Sequence, residues 1–160
     1  MILLICQFSY MKILCQNSYM SKHQPQVGYL IKQAQSLLRI HMEDALRPMD
    51  LSVSQYSCLH SLLRDPGISA AELARATFMT RQSMGTMLQQ LLERGLVERS
   101  KPSAGGRALP AALTEAGATL LSAAQAEVDK VEQRMLSGLE PSDLESLGYG
   151  LNLCINALRA

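Results

Sequence analysis

Residues 69–113 read SAAELARATFMTRQSMGTMLQQLLERGLVERSKPSAGGRALPAAL, and this stretch decides the fold. Ser69-Ala70-Ala71-Glu72 has the form of a capping box. The Ser69 side chain can accept from the Glu72 amide while the Glu72 carboxylate reaches back. A short helix therefore starts at Ser69 and runs to Ala76. Thr77-Phe78-Met79 makes a turn, and Thr80 can cap a second helix from about Arg81 to Arg94. On that helix Met84, Met87, Leu88 and Leu91 fall on one side. Arg81, Gln82, Ser83, Gly85, Thr86, Gln89 and Gln90 fall on the other. Gly95 is placed to end the helix in the left-handed conformation. Leu96 to Ser100 reads as a strand, Lys101 to Gly106 as a turn-rich loop, and Arg107 to Leu113 as a returning strand. Pro110 has no N–H to give a ladder, so it belongs on an open edge. Helix, turn, helix and a two-stranded wing is a device that sets one helix in a major groove of double-stranded DNA and a basic loop against the neighbouring backbone.

The flanking sequence is helical. From Val27, apolar residues at 27, 30, 31, 34, 37, 38, 42, 45 and 46 form a stripe that ends before Pro48. A further helix opens at Leu51-Ser52, with Ser52 or Ser54 as its cap. Val53, Tyr56, Leu59, Leu62 and Leu63 are expected inward, and Asp65-Pro66-Gly67 ends it with turn chemistry. Ile68 is expected as a single pairing residue for the wing sheet. Thr114 caps a long helix to about Ser137, with Leu120, Leu121, Ala124, Val128, Val131, Met135 and Leu136 on its face. After Gly138-Leu139, Pro141 suits the start of a last helix. That helix is expected to bury Leu144, Leu147, Leu151, Cys154, Ile155 and Leu158. Gly148 and Gly150 lie inside it. The fold class expected is mostly α, a winged helix-turn-helix with N- and C-terminal dimerisation helices and a small two- to three-stranded β wing. The domains follow: an N-terminal extension over 1–26, dimerisation helices over 27–50 and 115–160, and the winged helix-turn-helix over 51–114.

Charge supports this division. The 160 residues sum to only +1, but the sum hides a segregation. Residues 75–110 carry Arg75, Arg81, Arg94, Arg99, Lys101 and Arg107 against Glu93 and Glu98, a net of +4. Residues 111–160 carry Lys130, Arg134 and Arg159 against seven acids, a net of −4. The positive charge coincides with the helix-turn-helix and wing, where a polyanion would be met. Only 4% of residues are aromatic, so Leu, Ala, Met and Ile must do the packing.

The cysteines are Cys6, Cys15, Cys58 and Cys154, with no CxxC spacing and no His at metal-ligand distance in sequence. That pattern excludes a zinc framework, implies no metal or cofactor, and fits a reducing, cytoplasmic setting. Thiol redox sensing through Cys15 or Cys58 is the alternative mode of control. Met1 to Tyr19 is apolar but lacks a cationic start and a small-residue cleavage site, and its runs are too short to span a bilayer. No membrane association is expected, and Met20 offers an alternative start. No phosphate loop, nucleophile elbow or carboxylate cluster suggests an enzyme. A winged-helix protein that binds a protein partner is the competing class.

Read together, several segments resemble the MarR family of bacterial transcriptional regulators (multiple antibiotic resistance regulator type). They are Ile68-Ser69-Ala70-Ala71-Glu72-Leu73-Ala74, Leu91-Leu92-Glu93-Arg94-Gly95-Leu96-Val97-Glu98-Arg99, Gly106-Arg107-Ala108 and Leu113-Thr114-Glu115-Ala116-Gly117. Their order and spacing carry the resemblance, which covers about 27–158. It implies a ligand-responsive repressor that binds a pseudo-palindromic operator as a homodimer and answers to a small aromatic or lipophilic effector. It places base contacts at Thr80, Arg81, Gln82, Ser83 and Thr86. The family's wing commonly holds Asp-x-Arg, whose Arg enters the minor groove. Here the Arg is Arg107, and Gly105 stands in place of the Asp. Thr86 stands where many members have a basic residue.

Side-chain chemistry assigns roles to the same positions. Arg81, at the start of the recognition helix, can make two hydrogen bonds to a guanine edge, and Gln82 can do the same with adenine. Thr80, as a cap, exposes amides to a phosphate. Ser83 and Gln89 are expected at the DNA backbone, and Arg99, Lys101 and Arg107 supply the wing's charge. For the effector, which the resemblance places between the dimer helices and the DNA lobe, Arg39, His41, Tyr56 and His60 are the candidate groups. They lie on or beside apolar stripes and could hold an aromatic carboxylate or phenol.

Overall fold

Capped amphipathic segments joined by short turns can bury their apolar stripes only against one another, and this sets the architecture. The structure, a computed structural model, describes residues 27–99 and 111–159. Helical residues 27–46 form α1, followed by a 3-10 turn, Arg47–Met49. Then come α2 (Val53–Arg64), α3 (Ala70–Ala76), α4 (Arg81–Glu93), strand β1 (Val97–Arg99), strand β2 (Ala111–Leu113), α5 (Glu115–Leu136) and α6 (Pro141–Arg159). The chain divides within α1: residues up to Arg39 belong to one compact unit and those from Ile40 to another. In the first unit, Val27, Tyr29, Leu30, Ile31 and Leu37 are all exposed.

The second unit holds the core. Leu46, Leu59, Leu73, Met84, Leu91 and Leu121 are essentially inaccessible, and Leu51, Tyr56, Cys58, Leu62, Ala74, Met87, Leu96, Val97, Ala124 and Val128 complete the cluster. It thus draws on the end of α1, on α2 to α5 and on the base of the wing. Of the two alternative caps for α2, Ser52 is used. Its side chain accepts from the Gln55 amide at 3.1 Å and the Gln55 carboxamide accepts from the Ser52 amide at 3.0 Å. β1 and β2 pair antiparallel, Val97 with Leu113, Glu98 with Ala112 and Arg99 with Ala111.

Four sequence expectations need correction. Leu63 is exposed; Cys58 takes the inward place instead, because the buried face of α2 is set by Tyr56, Cys58, Leu59 and Leu62, and Leu63 lies beyond its edge. Among the described residues the sheet has two strands and Ile68 is not in it. Its N–H is used by the Asp65 carbonyl at 3.1 Å, closing the turn after α2. Met135 is exposed near the end of α5, past the reach of α2. Most consequentially, no residue of α6 is buried among the described residues. Leu144, Leu147, Leu151, Ile155 and Leu158 are exposed, as is Cys154. The helical stripe of α1 does end before Pro48, which sits inside the 3-10 turn, where a short i to i+3 geometry tolerates its fixed φ.

Candidate nucleic-acid interface

The capping box at Ser69 forms as read. The Ser69 hydroxyl accepts from the Glu72 amide at 3.3 Å, and the Glu72 carboxylate accepts from the Ser69 amide at 3.0 Å and hydroxyl at 2.6 Å. α3 closes with a Schellman arrangement. The Phe78 N–H donates to the Arg75 carbonyl at 3.2 Å, and the Met79 N–H to the Ala74 carbonyl at 2.8 Å. Phe78 takes the left-handed position, φ +55°, which glycine usually fills. Holding a residue with a β-carbon there costs about 1–2 kcal/mol.

Thr80 caps α4, accepting from the Ser83 amide at 3.1 Å, and its hydroxyl lies 2.8 Å from that of Ser83. The two faces of α4 separate as the periodicity requires. Met84, Met87 and Leu91 are buried and Leu88 is half-buried, while Arg81, Gln82, Ser83, Gly85, Thr86, Gln89 and Gln90 are all exposed. Besides Ser83, two of the outward groups have local bonds. Thr86 donates to the Gln82 carbonyl at 3.3 Å, and the Gln89 carboxamide donates to Glu93 at 2.9 Å. The structure therefore brings Thr80, Arg81, Gln82, Ser83, Thr86 and Gln89 onto one solvent-facing strip of a helix whose opposite side is locked in the core. Arg99 is exposed at the distal end of β1. Lys101 and Arg107, with Gly105, Pro110 and the loop itself, lie outside the described residues, as do 1–26 with Met20 and Cys15.

One cation of the basic block has a different task. Arg94, at the end of α4, donates to the Asp50 carbonyl at 2.7 Å and sits 3.6 Å from its carboxylate. It braces the recognition helix against the start of α2. Sequence reading counted it only as charge. The long-range pairing with Asp50 leaves no local signal. Arg75, exposed on α3, was likewise counted in the block but given no role.

The wing is tied to α5 by one threonine. Thr114 donates its hydroxyl to the Gly95 carbonyl at 2.7 Å and accepts from the Gly117 amide at 3.0 Å, while its own N–H reaches the Leu96 carbonyl at 3.2 Å. This draws the first turn of α5 so close that a β-carbon at Gly117 would lie 1.9 Å from the Leu96 oxygen. Only glycine fits.

Of the expected effector groups, Tyr56 and His60 meet on α2, ring centroids 6.0 Å apart and tilted by 36°. Tyr56 is buried and its hydroxyl donates to the Gln125 carboxamide at 2.6 Å; Gln125 in turn donates to Asp129 at 2.6 Å. Burial, with Asp129 nearby, pushes the Tyr56 phenol above its usual range. His60 is exposed on α2, and His41 and Arg39 are exposed on α1. Cys58 is fully buried beside the Met84 sulfur at 3.9 Å, and burial pushes its thiol up to about 12. A thiol so protonated and inaccessible is not a redox sensor, which removes Cys58 from that alternative. Among the described residues no group of His, Cys, Asp or Glu is placed to hold a metal, and no helix is long and apolar enough to cross a membrane.

Fold and site together define a winged helix-turn-helix protein with a polar, capped recognition helix. Comparison with known proteins narrows the class. The MarR family sequence profile matches residues 49–108. The HTH-type transcriptional repressor Rv2887 of Mycobacterium tuberculosis is 39% identical over 113 residues, 71% of this chain and 81% of the relative. The repressor Mb2911 of Mycobacterium bovis matches to the same extent. Among solved structures, the M. tuberculosis MarR family protein Rv2887 in complex with salicylic acid is 35% identical, with a TM-score of 0.67 over 79% of this chain and 94% of that one. The same protein in complex with DNA gives 34% and 0.66 over 79% and 95%. A mutant MarR from E. coli complexed with operator DNA reaches 0.73 at 23% identity over 81% and 93%, a likeness of fold. The chain belongs to the MarR family.

Proposed function

We propose that this protein is a transcriptional repressor that binds double-stranded DNA as a homodimer at a pseudo-palindromic operator and is released by a small aromatic effector. The observation that carries the reading is the outward face of α4, where Arg81, Gln82, Ser83 and Thr86 are exposed directly after a formed Thr80 cap. Its support from relatives is Rv2887, named a repressor and solved with DNA and with salicylic acid. Arg81 reads a guanine edge and Gln82 an adenine. The Thr80 cap, Ser83 and Gln89 meet the DNA backbone, Thr86 meets bases, and Arg99, Lys101 and Arg107 carry the wing's contacts. The reading assigns no catalytic step.

The homodimer is supported by α6, whose apolar residues are left uncovered among the described residues. Two subunits related by a twofold axis present two copies of α4 to successive major grooves, about 34 Å apart. For the effector, His41 and the Tyr56–His60 pair are the recognition groups proposed. An aromatic acid is the ligand class. Binding there competes for or reinforces the Tyr56 bond to Gln125, and so bears on how α2 and α5 are held together.

The test is to recover duplexes from a random pool with the purified protein. An inverted repeat with half-site centres about 10 base pairs apart is the expected product. Recovery of no enriched sequence, with no retardation of any duplex in low salt, would overturn the reading. Salicylate titrated into the complex with the recovered repeat is expected to release the DNA. Replacing His60 with Ala should raise the concentration required.

A further inference from the structure

Phe78 is the most exposed large apolar side chain among the described residues, at 92%. It also holds a left-handed backbone conformation that only Asp50 shares among the non-glycine residues described. The two costs coincide on one residue. Glycine or asparagine would fill the position without the strain, and a polar residue would avoid the exposure. Phe78 contributes nothing to the core: the apolar contact that accompanies this type of helix end is made by Met79, which packs against the buried cluster. Strained residues of this kind persist where they serve a binding function.

The surroundings indicate the partner. Arg75 and Arg81, three residues to either side, are both exposed, and they are the only charged residues between Leu73 and Leu92. An aromatic ring set in a cationic, acid-free stretch suits a polyanion with apolar patches. A DNA strand offers that combination, phosphates alternating with the hydrocarbon edges of deoxyribose. Phe78 is two residues before the Thr80 cap, so its Cα is at most about 7 Å of backbone from the helix N-terminus. When that N-terminus enters a groove, the strand walling the groove comes within reach.

We propose that Phe78 packs against the deoxyribose edge of the strand bordering the groove that α4 enters, between a phosphate contact from Arg75 and the base contact from Arg81. The inference rests on the DNA-reading function above and adds an apolar contact outside the recognition face.

Phe78→Gly separates the contact from the fold, because it relieves strain. Its thermal midpoint should rise by about 2–4 °C, while its affinity for the recovered inverted repeat falls about tenfold. Affinity for a random duplex of the same length should fall as well, because sugars are present in every sequence. Phe78→Trp supplies a tryptophan to a chain that otherwise has none. On saturation with the repeat, the emission of that variant should shift and its quenching by acrylamide should fall severalfold. The proposal is overturned if Phe78→Gly binds the repeat as tightly as the parent protein. It is equally overturned if emission and quenching of the Phe78→Trp variant stay unchanged in a complex confirmed by gel shift. Protection that appears with rising protein concentration and no DNA would also overturn it, in favour of a second copy of the chain. If the parent protein binds no duplex, the function itself falls; parent binding with an indifferent Phe78 leaves that function standing.

Discussion

α4 and α6 are both amphipathic helices of ordinary length, yet they meet opposite fates. α4 buries Met84, Met87 and Leu91 against α2, α3 and the wing base, and shows solvent a strip of polar side chains. α6 carries as regular a stripe, but no residue of it is buried. The difference teaches that a stripe specifies that a face must be covered and says nothing of what covers it. Cover within the chain makes a rigid platform for reading a ligand. Cover that the chain does not supply makes an assembly surface.

The sharpest way to break this comparison is to truncate one side chain in each helix. Leu91→Ala should cost about 2–5 kcal/mol in urea unfolding, because it opens a cavity in a closed core. Leu151→Ala should leave the unfolding of a dilute single subunit nearly unchanged and weaken self-association, measured by sedimentation equilibrium. Equal losses from both in a monomeric sample would mean that α6 is already buried at home. Next in size, Gly117→Ala should cost about 3 kcal/mol, since the new methyl would collide with the Leu96 backbone and not with a yielding side chain. A variant as stable as the parent would show that the wing and α5 can separate freely.

Arg81→Ala should cost about 1–3 kcal/mol on the recovered repeat while leaving random-duplex binding nearly intact. An equal loss on both would move Arg81 from base reading to phosphate contact.

The cysteines probe the same contrast through pH. With Cys6 and Cys15 replaced by Ser, Cys154 should react with a disulfide reagent within minutes at pH 8, more slowly as protein concentration rises. Cys58 should react only on unfolding. The folded state holds the Cys58 thiol at about 12, against an unfolded value of 9.0. Its neutral form is therefore the one that folding favours. Stability is intact below pH 9 and declines as pH rises from 9 towards 12, because only the unfolded chain gains by ionising there. A Cys58→Ala variant should lack that component of the decline. The smallest effect belongs to Gly148→Ala. Nothing lies near a β-carbon at Gly148 in the single chain, so helix propensity alone should stabilise it by somewhat under about 1 kcal/mol. A loss of self-association instead would place a partner backbone against it.

Much of the reading lobe was legible because its signals are local. Ser52, Ser69, Thr80 and Thr114 all cap helices, and each acts within three or four residues of itself. Gly95 has the positive φ its position demanded. The recognition face of α4 followed from period alone. What escaped notice is non-local or runs against type. The brace from Arg94 to Asp50 spans 44 positions, and the Tyr56–Gln125 bond spans 69. Leu63, expected inward, is exposed because an apolar stripe has an edge whose position depends on the neighbour packed against it. Phe78 was read only as part of a turn, although an aromatic residue where glycine is usual was itself a visible signal.

By itself the sequence determined where α3, α4 and α5 are capped, which side of α4 faces out, and that basic charge gathers on the helix-turn-helix and wing. Those properties arise from caps, periodicity and composition, all of them short-range. Only the tertiary structure decided which stripes are covered, which glycine has no room for a methyl, which arginine is committed to a brace, and which side chain is left strained and bare. These depend on how distant segments fill space together, and no local pattern encodes that.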